Sequence, residues 1–238
     1  MRLAISGLLL FATMGVPALA EEYEELSRRC YENGTPDQII DACSAVIAAG
    51  IAKKEDLGTA FKNRASAYDI KGRYGHAIHD YDHAIAINPE DADAFNNRGT
   101  SYRATGQYDL AIKDYDQSLA LKPNHPMALG NRCFARAMVG QFELALDDCN
   151  RSLRLDPKAS ETLASRGFAY FKMKRFEEAT NDFDAGLRLN PGNAYMLFGR
   201  GAAKRMKGSI ASGDADIAAA KTLKAGIADE MAKLGMRP

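Results

Sequence analysis

Residues 92–125, ADAFNNRGTSYRATGQYDLAIKDYDQSLALKPNH, run straight into residues 126–159, PMALGNRCFARAMVGQFELALDDCNRSLRLDPKA, and the two 34-residue stretches share their landmarks. Arg98 matches Arg132, Gly106 matches Gly140, Asp114 matches Asp148 and Pro123 matches Pro157. Outward from this pair the same interval continues. Glycine stands at Gly72, Gly106 and Gly140, and at Gly208 after one skipped interval; proline stands at Pro89, Pro123, Pro157 and Pro191. An aromatic follows each turn (Tyr74, Tyr108, Phe142, Phe176), then a small residue (Ala77, Ala111, Ala145, Ala179) and another aromatic (Tyr81, Tyr115, Phe183). Glycine breaks the chain between two helices, and proline, which cannot continue the second helix, ends it. The small residues Ala65, Gly99, Cys133 and Gly167 allow the two helices of a unit to approach closely. One such hairpin cannot bury its apolar face alone, so neighbours must stack.

In the first full unit Phe61, Asn63-Arg64-Ala65, Tyr68, Gly72, Tyr74, Ala77, Tyr81, Ala84 and Pro89 resemble the tetratricopeptide repeat, in a protein of an exported bacterial type. That resemblance implies an all-α fold, a right-handed α-solenoid of stacked helix-turn-helix repeats. The expected units are 58–91, 92–125, 126–159 and 160–193, with a degenerate fifth from Ala194 that keeps Leu197, Gly201 and Gly208 but puts Gly213 at the usual alanine. Residues 21–57 read as an N-terminal hairpin or cap, with Thr35 as N-cap and Pro36 at the first helical position. Leu223, Ile227, Met231 and Leu234 follow an i, i+4, i+8, i+11 stripe and predict one amphipathic capping helix.

The first twenty residues carry Arg2, an apolar run from Leu3 to Val16 and Ala18-Leu19-Ala20 before Glu21-Glu22. That is the pattern of a secretory signal with an A-x-A cleavage site, and it predicts export by a Sec-type route, to the periplasm. After Glu21 no apolar run approaches the roughly 18 residues of a spanning helix. Thirty-one basic and thirty-one acidic side chains give a formal net charge of zero, so no bulk pull toward nucleic acid or anionic lipid follows.

Export makes disulfides chemically reasonable, and the cysteine count is even. Cys30 and Cys43 are about equally far from the Thr35-Pro36 turn, and Cys133 and Cys149 from the Gly140-Gln141 turn, which predicts those two pairs. For the second pair, two buried thiols at core positions are the alternative. Arg64, Arg98, Arg132, Arg166 and Arg200 recur at the repeat interval, as do Asp80, Asp114, Asp148, Asp182 and Asp216. One residue type in every unit is more than a solvated face needs, so each arginine is expected to set its planar fork on an aspartate as repeat glue. Whether that aspartate belongs to the same unit or to a neighbour is left open by the sequence.

The resemblance places the first helix of each unit on a concave face. There Asn63, Asn97 and Asn131 form a ladder able to hold an extended backbone, or simply a capping and solvating position. Phe134, Met138, Phe168, Phe171 and Phe198 make the same face apolar toward the C-terminus, against Lys62, Ser66, Asp69, Asn96, Thr100 and Arg103 earlier. An apolar patch of that kind marks an interaction site. The leading reading is therefore an exported scaffold or adaptor that takes a protein or peptide partner in the groove, with no catalytic residues, no cofactor, no nucleic-acid partner and no stable membrane insertion. No phosphate loop, nucleophile elbow or CxxC is present, so nothing meets the standard of a nucleophile with a positioned base. The rival is metal binding or delivery by His76, His79 and His83, which fall within about 60° of one helix face.

Overall fold

The computed structural model describes residues 16–32 and 34–237, with side chains from Glu21 onward apart from Glu22. The secretory-signal reading falls mostly on residues 1–15, outside the described residues; Ala18–Ala20 lie in the first helix. Thirteen helices and no strand occur among the described residues. They are α1 (Val16–Tyr31), α2 (Pro36–Ala49), α3 (Lys54–Ile70), α4 (Tyr74–Ile87), α5 (Ala92–Ala104), α6 (Tyr108–Leu121) and α7 (Pro126–Met138). After these come α8 (Phe142–Leu155), α9 (Ser160–Lys172), α10 (Phe176–Leu189), α11 (Ala194–Met206), α12 (Ile210–Leu223) and α13 (Ile227–Lys233). The chain divides into two compact units, one through Ser101 and one from Tyr102, the division falling inside α5.

Local signals explain where helices begin and turn. Thr35 caps α2 in a capping box with Gln38, and Pro36 occupies the first turn, where its missing N–H is no loss. Gly72, Gly106, Gly140 and Gly208 close four hairpins with φ of 69°, 77°, 82° and 89°, a left-handed conformation that glycine adopts without steric cost. The interval without a glycine is filled by Lys174, which takes the same conformation at φ 60° despite its Cβ. Gly167 and Gly199 serve close approach: a Cβ there would come within 3.0 Å and 2.6 Å of the Phe183 ring.

In the first unit, successive helices pack as neighbours, α1 on α2, α2 on α3 and α3 on α4, with α1 also touching α3. Its core is two small clusters. Cys30, Ala42, Cys43, Val46 and Ala60 form one, and Ala65, Ala77 and Tyr81 the other. In the second unit the hairpins α7–α8, α9–α10 and α11–α12 stack side by side, the local form of an all-α solenoid. There one continuous cluster runs from Cys133 and Cys149 through Phe168, Phe183 and Phe198 to Ile227, Met231 and Met236.

The charged ladder ties both units internally. The arginine fork grips the carboxylate sixteen residues on: Arg64 on Asp80 at 2.7 and 2.8 Å, Arg132 on Asp148 at 2.8 and 2.6 Å. Arg166 grips Asp182 at 2.7 Å through both nitrogens, and Arg200 grips Asp216 at 2.8 and 2.6 Å. The remaining nitrogen reaches back to the preceding hairpin: Arg98 to Asp82, Arg132 to Asp116 and Arg200 to Asp184, all at 2.6 Å. At Arg166 that role falls to the Asn150 carbonyl oxygen at 2.7 Å, and at Arg64 to the Ser44 hydroxyl at 2.9 Å. Arg132, Arg166 and Arg200 thus serve two hairpins each, which resolves what the sequence left open. Asp148 and Asp216 also accept from a second cation, Arg136 at 2.7 Å and Lys204 at 2.8 Å.

The C-terminal stripe does not form one helix. The chain turns at Lys224–Gly226, leaving Leu223 exposed at the end of α12, while Ile227 and Met231 are buried on the separate α13. Glycine at 226 and the α12 C-cap at Lys224 break the register that the stripe alone suggested.

Candidate binding cleft

Three helices of the second unit share one face of their hairpins: α7, α9 and α11, each packed on the next. The chain then turns at Gly226 and lays α13 on α11. Met236 beyond α13 is fully buried, and the Lys172 ammonium at the end of α9 donates to the Leu234 carbonyl at 3.5 Å. Residues 227–236 therefore return across the inner helices as a strap held by apolar burial. Beside the strap an open cleft of about 560 Å³ remains. Phe134 of α7 and Phe168 of α9 form its apolar wall, with ring centroids 5.2 Å apart. Tyr108 meets Phe134 edge-on at 6.4 Å and extends that wall. Asn131, Ser165 and Glu161 supply polar groups, and Met231, Leu234 and Met236 of the strap form the opposite side.

Two cations stand over aromatic rings of the cleft wall, Arg103 on the cleft itself and Lys224 just outside its lining. Lys224 lies 4.7 Å from the Tyr195 ring centroid, and its ammonium and the Tyr195 hydroxyl both donate to the Glu230 carboxylate, at 2.7 and 2.5 Å. The Lys224 and Tyr195 hydrogen bonds hold the Glu230 carboxyl below the usual carboxylate range. Arg103 lies 5.4 Å from the Phe134 centroid. Its Nε is buried with no hydrogen-bond partner among the described residues. Burial raises the Tyr108 hydroxyl above its ordinary value, with the nearby Arg103 charge opposing.

The structure separates the residues that the sequence grouped on one face. Asn131, Phe134 and Phe168 line the cleft. All three of Phe168, Phe171 and Phe198 are buried in one cluster, and of them Phe168 alone has a face on the cleft. Met138 packs against the same core. In the first unit Asn63 donates to the Cys30 carbonyl at 3.1 Å, and Asn97 accepts from Asn96 at 3.1 Å. Asp69 accepts from Ser101 at 2.6 Å and from the Tyr81 hydroxyl at 3.1 Å. Burial raises the Asp69 carboxyl above its usual range, and those hydrogen bonds offset only part of the shift.

The cysteine sulfurs lie at bonding distance in two pairs, Cys30–Cys43 at 2.14 Å between α1 and α2 and Cys133–Cys149 at 2.04 Å between α7 and α8. The histidines of α4 do not converge. His83 stacks on Phe61 at 4.7 Å, His79 meets His83 edge-on at 4.7 Å, and His76 sits by Tyr68 with its Nε2 3.0 Å from Arg73. No group of three or more His, Cys, Asp or Glu side chains placed to hold a metal ion occurs among the described residues. Tyr108 is one of the periodic aromatics that follow a turn and reaches the cleft through Phe134, whereas Tyr195 and Glu230 carry no periodic mark that singles them out. Tyr195 and Glu230 enter the site because the strap returns, which sequence spacing does not encode.

Family models described as the tetratricopeptide repeat match residues 92–125 and 160–193, and one described as a TPR repeat matches residues 65–102. Among solved structures, a tetratricopeptide repeat protein from Parabacteroides merdae ATCC 43184 superposes with a TM-score of 0.70, at 19% identity, over 90% of this chain and 88% of that one. MamA from Desulfovibrio magneticus RS-1 gives a TM-score of 0.59 at 18% identity, over 74% of this chain and 98% of its own. YrrB, described as a TPR protein with an unusual peptide-binding site, gives 0.55 at 19% identity, over 78% and 93%. At these identities the likeness is one of fold. No curated protein matches the sequence.

Proposed function

From a chain that belongs to the tetratricopeptide repeat family, a family of protein-interaction scaffolds, we infer that the cleft beside the C-terminal strap binds a peptide segment of a partner protein. The observation that carries this reading is the cleft itself. It is an open volume of about 560 Å³ with an aromatic wall, side-chain amide and hydroxyl groups, and two cations, the mixture expected of a concave ligand site. Aromatic and arginine side chains are the residue types that dominate partner recognition. The fold likeness to YrrB, itself described as having a peptide-binding site, agrees with this reading.

The setting is an oxidising, exported one, the periplasm. Two cysteine pairs at bonding distance are at home there. No helix among the described residues is long and apolar enough to cross a membrane.

A photo-reactive phenylalanine analogue at Tyr108, on the cleft, and at Leu144, exposed on α8, tests the site. With intact envelope material, cross-linked species should form from position 108 and not from 144. Equal yields from both positions, or none from position 108, would overturn the reading.

A further inference from the structure

The two cation–aromatic pairs that share the cleft's aromatic rings, Arg103 on Phe134 and Lys224 on Tyr195, are in different states. Lys224 over Tyr195 is loaded with a carboxylate, that of Glu230, which arrives on α13 as one residue of an amphipathic segment whose Ile227 and Met231 are buried. Arg103 over Phe134 has the same build, a cation resting on an aromatic ring at the cleft wall, and no carboxylate. None of its guanidinium nitrogens donates to a described residue, and Nε is already withdrawn from water. A guanidinium that has lost part of its hydration and gained no acceptor favours an anion more than a solvated one does, because the desolvation cost is already met. Its location in the last turn of α5 provides a favourable dipole interaction but leaves that N–H unpaired. Elsewhere on the cleft Lys233 adds a second cation, Glu230 is neutralised by Lys224, and Glu161 accepts from Asn193 at 3.4 Å. The unfilled position is thus for negative charge.

We propose that Arg103 on Phe134 is a carboxylate subsite, and that the segment bound in the cleft presents an aspartate or glutamate side chain to it, next to an apolar side chain against Phe168. The inference rests on the cleft being a peptide site. The commitment to a side-chain carboxylate, and not a chain terminus, follows the loaded pair, whose ligand is the side chain of an internal glutamate. The strap shows the pattern that the surface accepts: large apolar residues, Ile227 and Met231, with an acid between them, Glu230, seated on a cation. Bidentate geometry at a planar guanidinium also suits a carboxylate better than a neutral amide.

The test uses the full chain from Glu21 onward, labelled with nitrogen-15, and three acetylated pentapeptides: Ala-Leu-Glu-Leu-Ala amide, the same with Gln for Glu, and the Gln peptide with a free C-terminal carboxylate. The Arg103 Nε–Hε signal, assigned by its loss in Arg103→Gln, should move with the Glu peptide and stay still with the Gln amide. A charge-assisted contact of this kind predicts about tenfold tighter binding of the Glu peptide. In Arg103→Gln the two amides should bind alike, and Arg103→Lys should keep part of the preference. Unchanged thermal midpoints in both variants separate lost recognition from lost folding. Equal binding of Glu and Gln amides by the wild type, with Phe134 and Phe168 ring signals moving, would overturn the subsite and leave the cleft reading standing. Preference for the free acid alone would overturn the side-chain assignment. No movement of any cleft signal with any of the three would overturn the cleft reading along with the subsite.

Discussion

The first unit and the second are built from the same hairpins, yet their inner helices are used differently. In the first, the inner-face polar groups satisfy one another: Asn63 closes on Cys30, Asn97 on Asn96, and Asp69 on Ser101 and Tyr81. Its apolar clusters are small and alanine-rich. In the second, phenylalanines replace those polar groups, one cluster runs through three hairpins, and a strap covers part of it. The repeat frame thus leaves the inner face free to vary. What the frame requires is the arginine–aspartate ladder and the turn geometry, and both units keep these.

The contrast can be broken most severely in the apolar unit. Phe198→Ala, at a side chain 2% exposed, should cost about 4 kcal/mol in urea denaturation. A loss below about 1.5 kcal/mol would show that the cluster is not close-packed. Next come the ladder carboxylates. Asp148→Ala removes the buried carboxylate that Arg132 and Arg136 share, leaving them only the half-exposed Asp116, and should cost about 3 kcal/mol, whereas Asp80→Ala deprives Arg64 alone and should cost less. The reverse order would mean that the second cation contributes nothing.

Replacing both cysteines of either pair by serine should lower stability by about 3 kcal/mol, nearly equally in the two units, because the loops close at similar separations of 13 and 16 residues. A markedly larger loss for Cys133 and Cys149 would assign the effect to packing of those sulfurs in the core. Lys174→Gly should act in the opposite direction and raise the calorimetric midpoint, since relief of a left-handed non-glycine conformation is worth about 0.5–1 kcal/mol.

The smallest effects concern pH. Asp216 in the second unit is shifted downward: burial acts to raise its carboxyl, but Arg200 and Lys204 together overcome that. Its contribution is present above the unfolded value and is lost as pH falls through the folded one, below the ordinary aspartate range. Asp69 in the first unit is shifted upward by burial, so its ionised form is disfavoured and stability declines as pH rises from the unfolded value through the folded one. Asp69→Asn should flatten that slope in unfolding free energies measured from about pH 3 to pH 7, while changing neutral stability little. A slope unaffected by the substitution would remove Asp69 from the account.

Much of the fold was legible because repetition shows every structural requirement several times over. The glycine interval marked hairpin turns, and equidistance from a turn marked Cys30–Cys43 and Cys133–Cys149, whose sulfurs the structure brings together. The site was less legible. Asn131, Phe134 and Phe168 meet at the cleft, but Phe171 and Phe198 lie in the core, since inner-helix position alone does not tell a cleft wall from a buried neighbour. The i, i+4 stripe through Leu223 to Leu234 marked the buried Ile227 and Met231 but not its own break, because the chain turns at Lys224–Gly226 and leaves Leu223 exposed.

By itself the amino-acid sequence determined the repeat, the helix class, the candidate cysteine pairs and the recurrence of arginine and aspartate. All of these depend on contacts within one hairpin, whose separations are short and repeated. Tertiary structure alone decided that Arg132, Arg166 and Arg200 also reach the hairpin before their own, that Lys174 accepts a left-handed turn, and that the strap returns to Lys172 and frames a cleft containing an unpaired Arg103. Those features join residues from different hairpins. Local propensity does not specify them, and they follow only once burial of the C-terminal apolar side chains has selected one seat.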